Sequence, residues 1–120
     1  MFEWGIKVTR QCGAHATILH LDGDFTYVHA VKLRHYFRLA LPSSLCLLDM
    51  LLVSSIDSVG LGLLVGLKNN LGQAGKRLLL FNVPKNIEAS ITKYGFPNYF
   101  SIDPDEKHAL ALYEQENLTA

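Results

Sequence analysis

Asp49-Met50-Leu51-Leu52-Val53-Ser54-Ser55-Ile56-Asp57-Ser58-Val59-Gly60-Leu61-Gly62 joins an apolar run to an apolar helix through a short polar loop. The run starts at Leu45 and reads to Leu52 as a strand buried on both faces, as the central strands of parallel sheets are. From Ser58 to Leu71 the pattern is helical, with Val59, Leu61, Leu63, Leu64, Val65, Leu67 and Leu71 apolar and with Gly72 and Gly75 as the stop. Asp57 or Ser58 therefore falls at a helix N-terminus, where a side-chain oxygen can accept from the unpaired N–H groups of the first turn. Two roles are open to the pair. One is a plain helix cap. The other is a phosphoacceptor at Ser58, where a phosphate gains from the helix dipole and the free N–H groups while the Asp57 carboxylate opposes its charge.

Outward from this junction, strands and helices alternate. Residues 5–10 alternate around Ile6 and Val8, residues 11–15 read as a turn, and residues 16–21 as a strand ended by Asp22-Gly23. Residues 28–41 form an amphipathic helix with Val28, Val31, Leu33, Phe37 and Leu41 apolar, stopped by Pro42-Ser43-Ser44. Residues 77–83 are a second buried strand, and Pro84 opens a helix whose stripe is Ile87, Ile91 and Tyr94. A short extended piece covers 99–102. Asp103 then caps a last helix opened by Pro104, with Ala109, Leu110 and Leu112 facing inward. The expected fold is α/β: a mixed sheet of four to five strands, its first two a hairpin, and about four helices packed mainly on one face.

The chain has 120 residues, the size of one domain, and no repeat or linker divides 1–120. It is 49% hydrophobic, so it should fold as a globule. Lys+Arg and Asp+Glu both number 11, which argues against nucleic acid as a partner because phosphate binding needs clustered positive charge. Residues 45–53 are the longest apolar stretch, too short to span a bilayer and interrupted by Asp49. The N-terminus lacks the apolar core of a signal peptide, so no membrane insertion and a cytoplasmic location are expected. Cys46 reads as a small buried hydrophobe and Cys12 as more exposed, with no metal-ligand spacing. His15, His20, His29, His35 and His108 form no ligand pattern. Asp22, Asp24 and Asp57 gathered at one sheet end could hold Mg²⁺, but turn and cap roles explain them more simply, and no metal or cofactor is expected. Gly60, Gly62 and Gly66 are not a phosphate loop, since no GK[ST] follows. They allow close packing within the domain, or leave a flat face beside Ser58 bordered by Lys68 and Asn69. No nucleophile–base pair is visible, so no enzymatic activity is expected.

The central stretch resembles the signature of STAS domains, the family of bacterial anti-sigma factor antagonists: a strand-ending aspartate, a loop, then Ile-Asp-Ser-x-Gly-Leu. Here these are Asp49 and Ile56-Asp57-Ser58-Val59-Gly60-Leu61. Leu21-Asp22-Gly23-Asp24-Phe25 is similar to the family's Leu-x-Gly-Glu-Leu. Ala30, Leu33 and Phe37, then Gly75 to Val83, then Ile87, Ile91, Gly95-Phe96, Phe100 and Ile102, and finally Glu106 to Leu110 follow its later elements in order. The resemblance covers about residues 5–112. One departure is Thr26, which stands where many antagonists carry an aspartate near the phosphosite.

The resemblance implies a partner switch. The unmodified domain binds an anti-sigma factor with a GHKL-type serine kinase domain. The kinase phosphorylates Ser58, the complex parts, and a PP2C-type phosphatase resets it. The implied partner-binding residues are Asp24, Thr26, Ser55, Ile56, Asp57, Ser58, Gly60 and Gly62, and the expected assembly is a monomer or weak dimer. The Thr26 departure keeps an alternative in view: a constitutive scaffold or accessory subunit, of a stressosome or of a lipid-transport ATPase complex, without a phospho-switch.

Overall fold

The computed structural model describes residues 6–118. β1 (Lys7–Cys12) and β2 (Ala16–Phe25) form the expected antiparallel pair; Gly5, expected to open β1, lies outside the described residues. A one-turn 3-10 segment (Tyr27–His29) leads into α1 (Ala30–Ala40). There follow β3 (Leu45–Ile56), α2 (Ser58–Gln73), β4 (Arg77–Phe81), α3 (Lys85–Lys93), β5 (Ile102–Asp103) and α4 (Glu106–Leu118). The strand order is β1-β2-β3-β4-β5, with β2 through β5 parallel. The predicted α/β mixed sheet is therefore present, with five strands and four α-helices among the described residues.

Successive parallel crossovers of one hand put α1, α2 and α3 on the same face. Leu33 and Phe37 of α1, Leu61, Leu64, Leu67 and Leu71 of α2, and Ile87 and Ile91 of α3 pack there on Leu19, Leu21, Cys46, Leu48, Met50 and Leu80. α4 covers the other face, with Ala109 and Tyr113 on Ala16, Ile18, Leu45, Leu47 and Phe81. Leu45-Cys46-Leu47-Leu48 is apolar throughout because its alternate side chains enter two different cores. Beyond α4, a polar chain crosses the same face: His20 Nδ1 lies 2.8 Å from Asp49 Oδ2, and Asn82 Nδ2 donates to Asp49 Oδ1 (3.1 Å) and Glu106 Oε1 (3.2 Å).

The structure corrects several boundaries. β3 continues to Ile56 instead of stopping at Leu52, so Asp49 lies within the strand and does not end it. The continuation works through two register shifts. His20 faces Asp49 but Asp22 faces Leu52, and Gly23 faces Val53 but Asp24 faces Ser55, so β3 gains one residue at each. The inward period becomes three: Met50, Val53 and Ile56 are buried, while Leu51, Leu52, Ser54 and Ser55 are exposed. Only the first part of β3 is buried on both faces. β2 likewise runs through Asp22-Gly23, which reads as a turn in the sequence; Gly23 takes φ 129° there, a conformation that suits glycine.

In the helices, Val28 and Val31 are exposed, because the 3-10 turn sets the phase and α1 buries Leu33, Phe37 and Ala40 instead. Tyr94 is also exposed, and Pro84 precedes α3 as its N-cap residue. β4 ends at Phe81 because Asn82 turns with φ 55°. Asp103 belongs to β5; the cap role falls to Asp105, whose carboxylate accepts from the Lys107 N–H at 3.0 Å. Leu110 and Leu112 are half-buried, and Tyr113 takes the inward place with Ala109. Cys46 is buried and Cys12 exposed, both as free thiols.

Candidate functional site

The carboxyl ends of β2 and β3 meet the N-terminus of α2, and the Asp57 carboxylate holds the three together. Asp57 is the N-cap of α2, in extended conformation, and its Oδ1 accepts from the Gly60 N–H at 2.8 Å. Its Oδ2 accepts from the Tyr27 N–H at 2.9 Å, and its own N–H donates to the Phe25 carbonyl at 3.3 Å. The cap reading of the pair is thus met by Asp57. Ser58 follows as the first helical residue, exposed, and its hydroxyl has no partner among the described residues. The Ser58 and Val59 N–H groups belong to the helix's first turn and have no acceptor four residues back. A phosphate on Ser58 would meet those donors and the positive end of the helix dipole.

Gly60 and Gly62 part ways. Gly60 is buried against the Phe25 carbonyl; a Cβ there would lie 2.0 Å from that oxygen. Gly62 and Gly66 meet open space, and with Arg34, Phe37, Arg38 and Asn70 they line a groove of about 310 Å³ between α1 and α2. Gly60 therefore packs within the domain, while the open glycines line this groove, and Ser58 is not part of its lining. Its expected border residues turn elsewhere: Lys68 Nζ lies 4.6 Å over the Tyr99 ring, and Asn69 Oδ1 accepts from the Tyr99 hydroxyl at 2.6 Å.

Asp24 stands on the rim beside this junction. Its Oδ1 accepts from Ser54 Oγ (2.6 Å) and Ser55 Oγ (2.9 Å), and these two hydroxyls hold its carboxyl below the usual carboxylate range. Ile56 is a core residue, with its side chain among the main cluster, so it supports the site from beneath. Thr26 precedes the 3-10 turn and caps it with its carbonyl, which accepts from the His29 N–H at 3.0 Å; its hydroxyl makes no cap bond. Asp22, Asp24 and Asp57 do not converge, and among the described residues no group of three or more His, Cys, Asp or Glu is placed to hold a metal ion.

The sequence reading misses one part of this surface. Tyr27 (68% exposed), Val28 (64%) and Val59 (43%) display apolar side chains next to Ser58, and Val31 (80%) continues the strip one turn along α1. The signal for it is the pair Val28 and Val31 around the start of α1, which periodicity alone assigns to the core.

A family model described as the STAS domain matches residues 6–109. No curated protein matches the chain. Among solved structures, the chain is similar to a Thermotoga maritima protein described as an anti-sigma factor antagonist (TM-score 0.78, 17% identity, covering 89% of this chain and 94% of that one). It is similar also to the Bacillus cell fate determinant SpoIIAA in its phosphorylated form (TM-score 0.69, 17% identity, 90% and 98%). A third is a sulfate transporter family protein of Wolinella succinogenes (TM-score 0.70, 21% identity, 87% and 88%). At these identities the structures speak for the fold alone; the family match covers most of the chain. The chain belongs to the STAS domain family.

Proposed function

We propose that this STAS domain is a bacterial, cytoplasmic anti-sigma factor antagonist that works by partner switching. In its unmodified form it binds an anti-sigma factor carrying a GHKL-type serine kinase domain. The contact surface is Asp24, Thr26, Ser55, Asp57 and Ser58, extended by Tyr27, Val28 and Val59, with Gly60 packed beneath it. The observation that carries this reading is the division of labour at the α2 N-terminus. Asp57 has both oxygens committed to backbone N–H groups, while Ser58 is exposed with a free hydroxyl.

In the switching step, Ser58 Oγ attacks the γ-phosphorus of ATP, the bond to the β–γ bridging oxygen breaks, and ADP leaves with its electron pair. The hydroxyl proton passes to a base of the kinase. The domain thus serves as ligand and phosphoacceptor without catalysis of its own. The new charge lies beside the exposed Tyr27, Val28 and Val59, where an apolar partner surface would have to desolvate it. A PP2C-type phosphatase restores the free hydroxyl. SpoIIAA, a protein of similar fold, is known in a phosphorylated form, which supports the reading.

The test is incubation with the cognate kinase and ATP, followed by mass spectrometry. One phosphate, on Ser58, is expected; a phosphate elsewhere, or none, contradicts the proposal. Thr26 and the similarity to a sulfate transporter family protein favour a second reading, an accessory or scaffold STAS subunit. That reading predicts a stable complex indifferent to ATP.

A further inference from the structure

The helices part company at one edge of the sheet. α1, α2 and α3 share a face, whereas α4 leaves β5 for the opposite face. In open α/β sheets, ligands lie in crevices outside the carboxyl ends of the strands. Such a crevice is present here, bounded by the ends of β4 and β5, by α3, and by the 96–104 segment. Its volume is about 580 Å³, within the usual range of ligand sites.

The floor of the crevice is apolar: Val83, Ile91, Phe96, Phe100 and Ile102. Lys85 and Glu88 stand on the α3 wall, one turn apart and both lining the crevice. At this spacing their Cβ atoms are about 5–6 Å apart, close enough for an ion pair. They do not form one, and neither has any other partner among the described residues. The remaining carboxylate in the lining, Asp103, is already engaged: it accepts from the Asp105 N–H at 3.0 Å and bonds His108 Nδ1. The crevice thus offers one free cation, one free anion and an apolar floor.

We infer that this crevice binds a small zwitterion with an apolar body, of the class of the hydrophobic α-amino acids. The ligand carboxylate meets Lys85, its ammonium meets Glu88, and its side chain lies on Ile91, Phe100 and Ile102. This site stands apart from the Ser58 surface and does not depend on the proposed switch.

The probe is L-phenylalanine, titrated into the full chain and followed by calorimetry and by backbone amide NMR shifts. N-acetyl-L-phenylalanine, which lacks the ammonium, and L-phenylalaninamide, which lacks the carboxylate, serve as controls. The expected result is saturable binding with shifts at residues 82–104, weakened at least about tenfold in each analogue and in each of Lys85→Glu and Glu88→Lys. The charge-exchanged double variant should recover binding. Absence of saturable binding, equal binding of the neutralised analogues, or indifference to both single substitutions overturns the inference.

Discussion

Gly60→Ala and Gly62→Ala are the same substitution two residues apart on one helix, and the structure assigns them opposite signs. A methyl on Gly60 would sit 2.0 Å from the Phe25 carbonyl oxygen and 2.7 Å from the Phe25 ring. Since real Cβ contacts do not fall below 3.0 Å, the start of α2 must retreat from β2 by 3.0 − 2.0, about 1 Å. The obstacle is backbone, so a rotamer change does not relieve it. Overpacking of this kind costs about 1–3 kcal/mol. The retreat also strains the Asp57 bonds to Gly60 and Phe25, each worth ~0.5–1.5 kcal/mol. The better helix propensity of alanine returns about 1 kcal/mol. The net loss is about 2 kcal/mol. At Gly62 a methyl meets nothing, so only the propensity gain of up to about 1 kcal/mol remains. Urea unfolding followed by circular dichroism separates the two. With a slope of about 1–3 kcal/mol/M, the midpoints should differ by about 1 M or more, Gly60→Ala below wild type and Gly62→Ala at or above it. A Gly60→Ala midpoint equal to wild type would refute the packing of α2 on Phe25 as described.

Other outcomes follow from the same geometry. Asp57→Asn keeps a good helix cap but points an amide donor at the Tyr27 N–H, so hydrogen exchange at Tyr27 should accelerate while Gly60 stays protected; equal change at both sites argues against the bridging carboxylate. Burial pushes the Cys46 thiol up to about 12, so a thiol reagent should modify Cys12 alone in the native protein and both cysteines after unfolding; rapid native labelling of Cys46 would contradict its placement. Asp24 is held below its ordinary value of 3.8 by Ser54 and Ser55, and such a depressed group stabilises the fold at higher pH and loses that contribution as pH falls through its folded value. Replacing both serines by alanine should move the Asp24 NMR titration upward toward 3.8; an unchanged titration would remove those hydroxyls as the cause.

The legible parts of the molecule were those where one residue pattern meets one environment. The run 45–48 is apolar on both sides because it faces two cores, and the cap at Asp57 follows from its place before an apolar helix. The obscured parts were those where two causes share a pattern. Valine serves an exposed strip as readily as a core, so Val28 in the 3-10 turn and Val31 in α1 mislead the phase of the helix. Ser54-Ser55 looks like the end of a strand, yet two bulges carry β3 past it with a period of three, which no alternation test detects. Gly60 and Gly62 are equivalent on paper. Only the height of Phe25 above α2 tells the packed glycine from the open one.

The free hydroxyl of Ser58, held at the start of α2 just after the Asp57 cap, is the feature on which the proposed switch turns. The most direct measurement is the lifetime of the complex between this chain and its anti-sigma factor kinase, recorded before and after addition of ATP, for wild type and for Ser58→Ala. Wild type should be released on addition of ATP and Ser58→Ala should stay bound. Release of Ser58→Ala together with wild type, or retention of both, contradicts the switch.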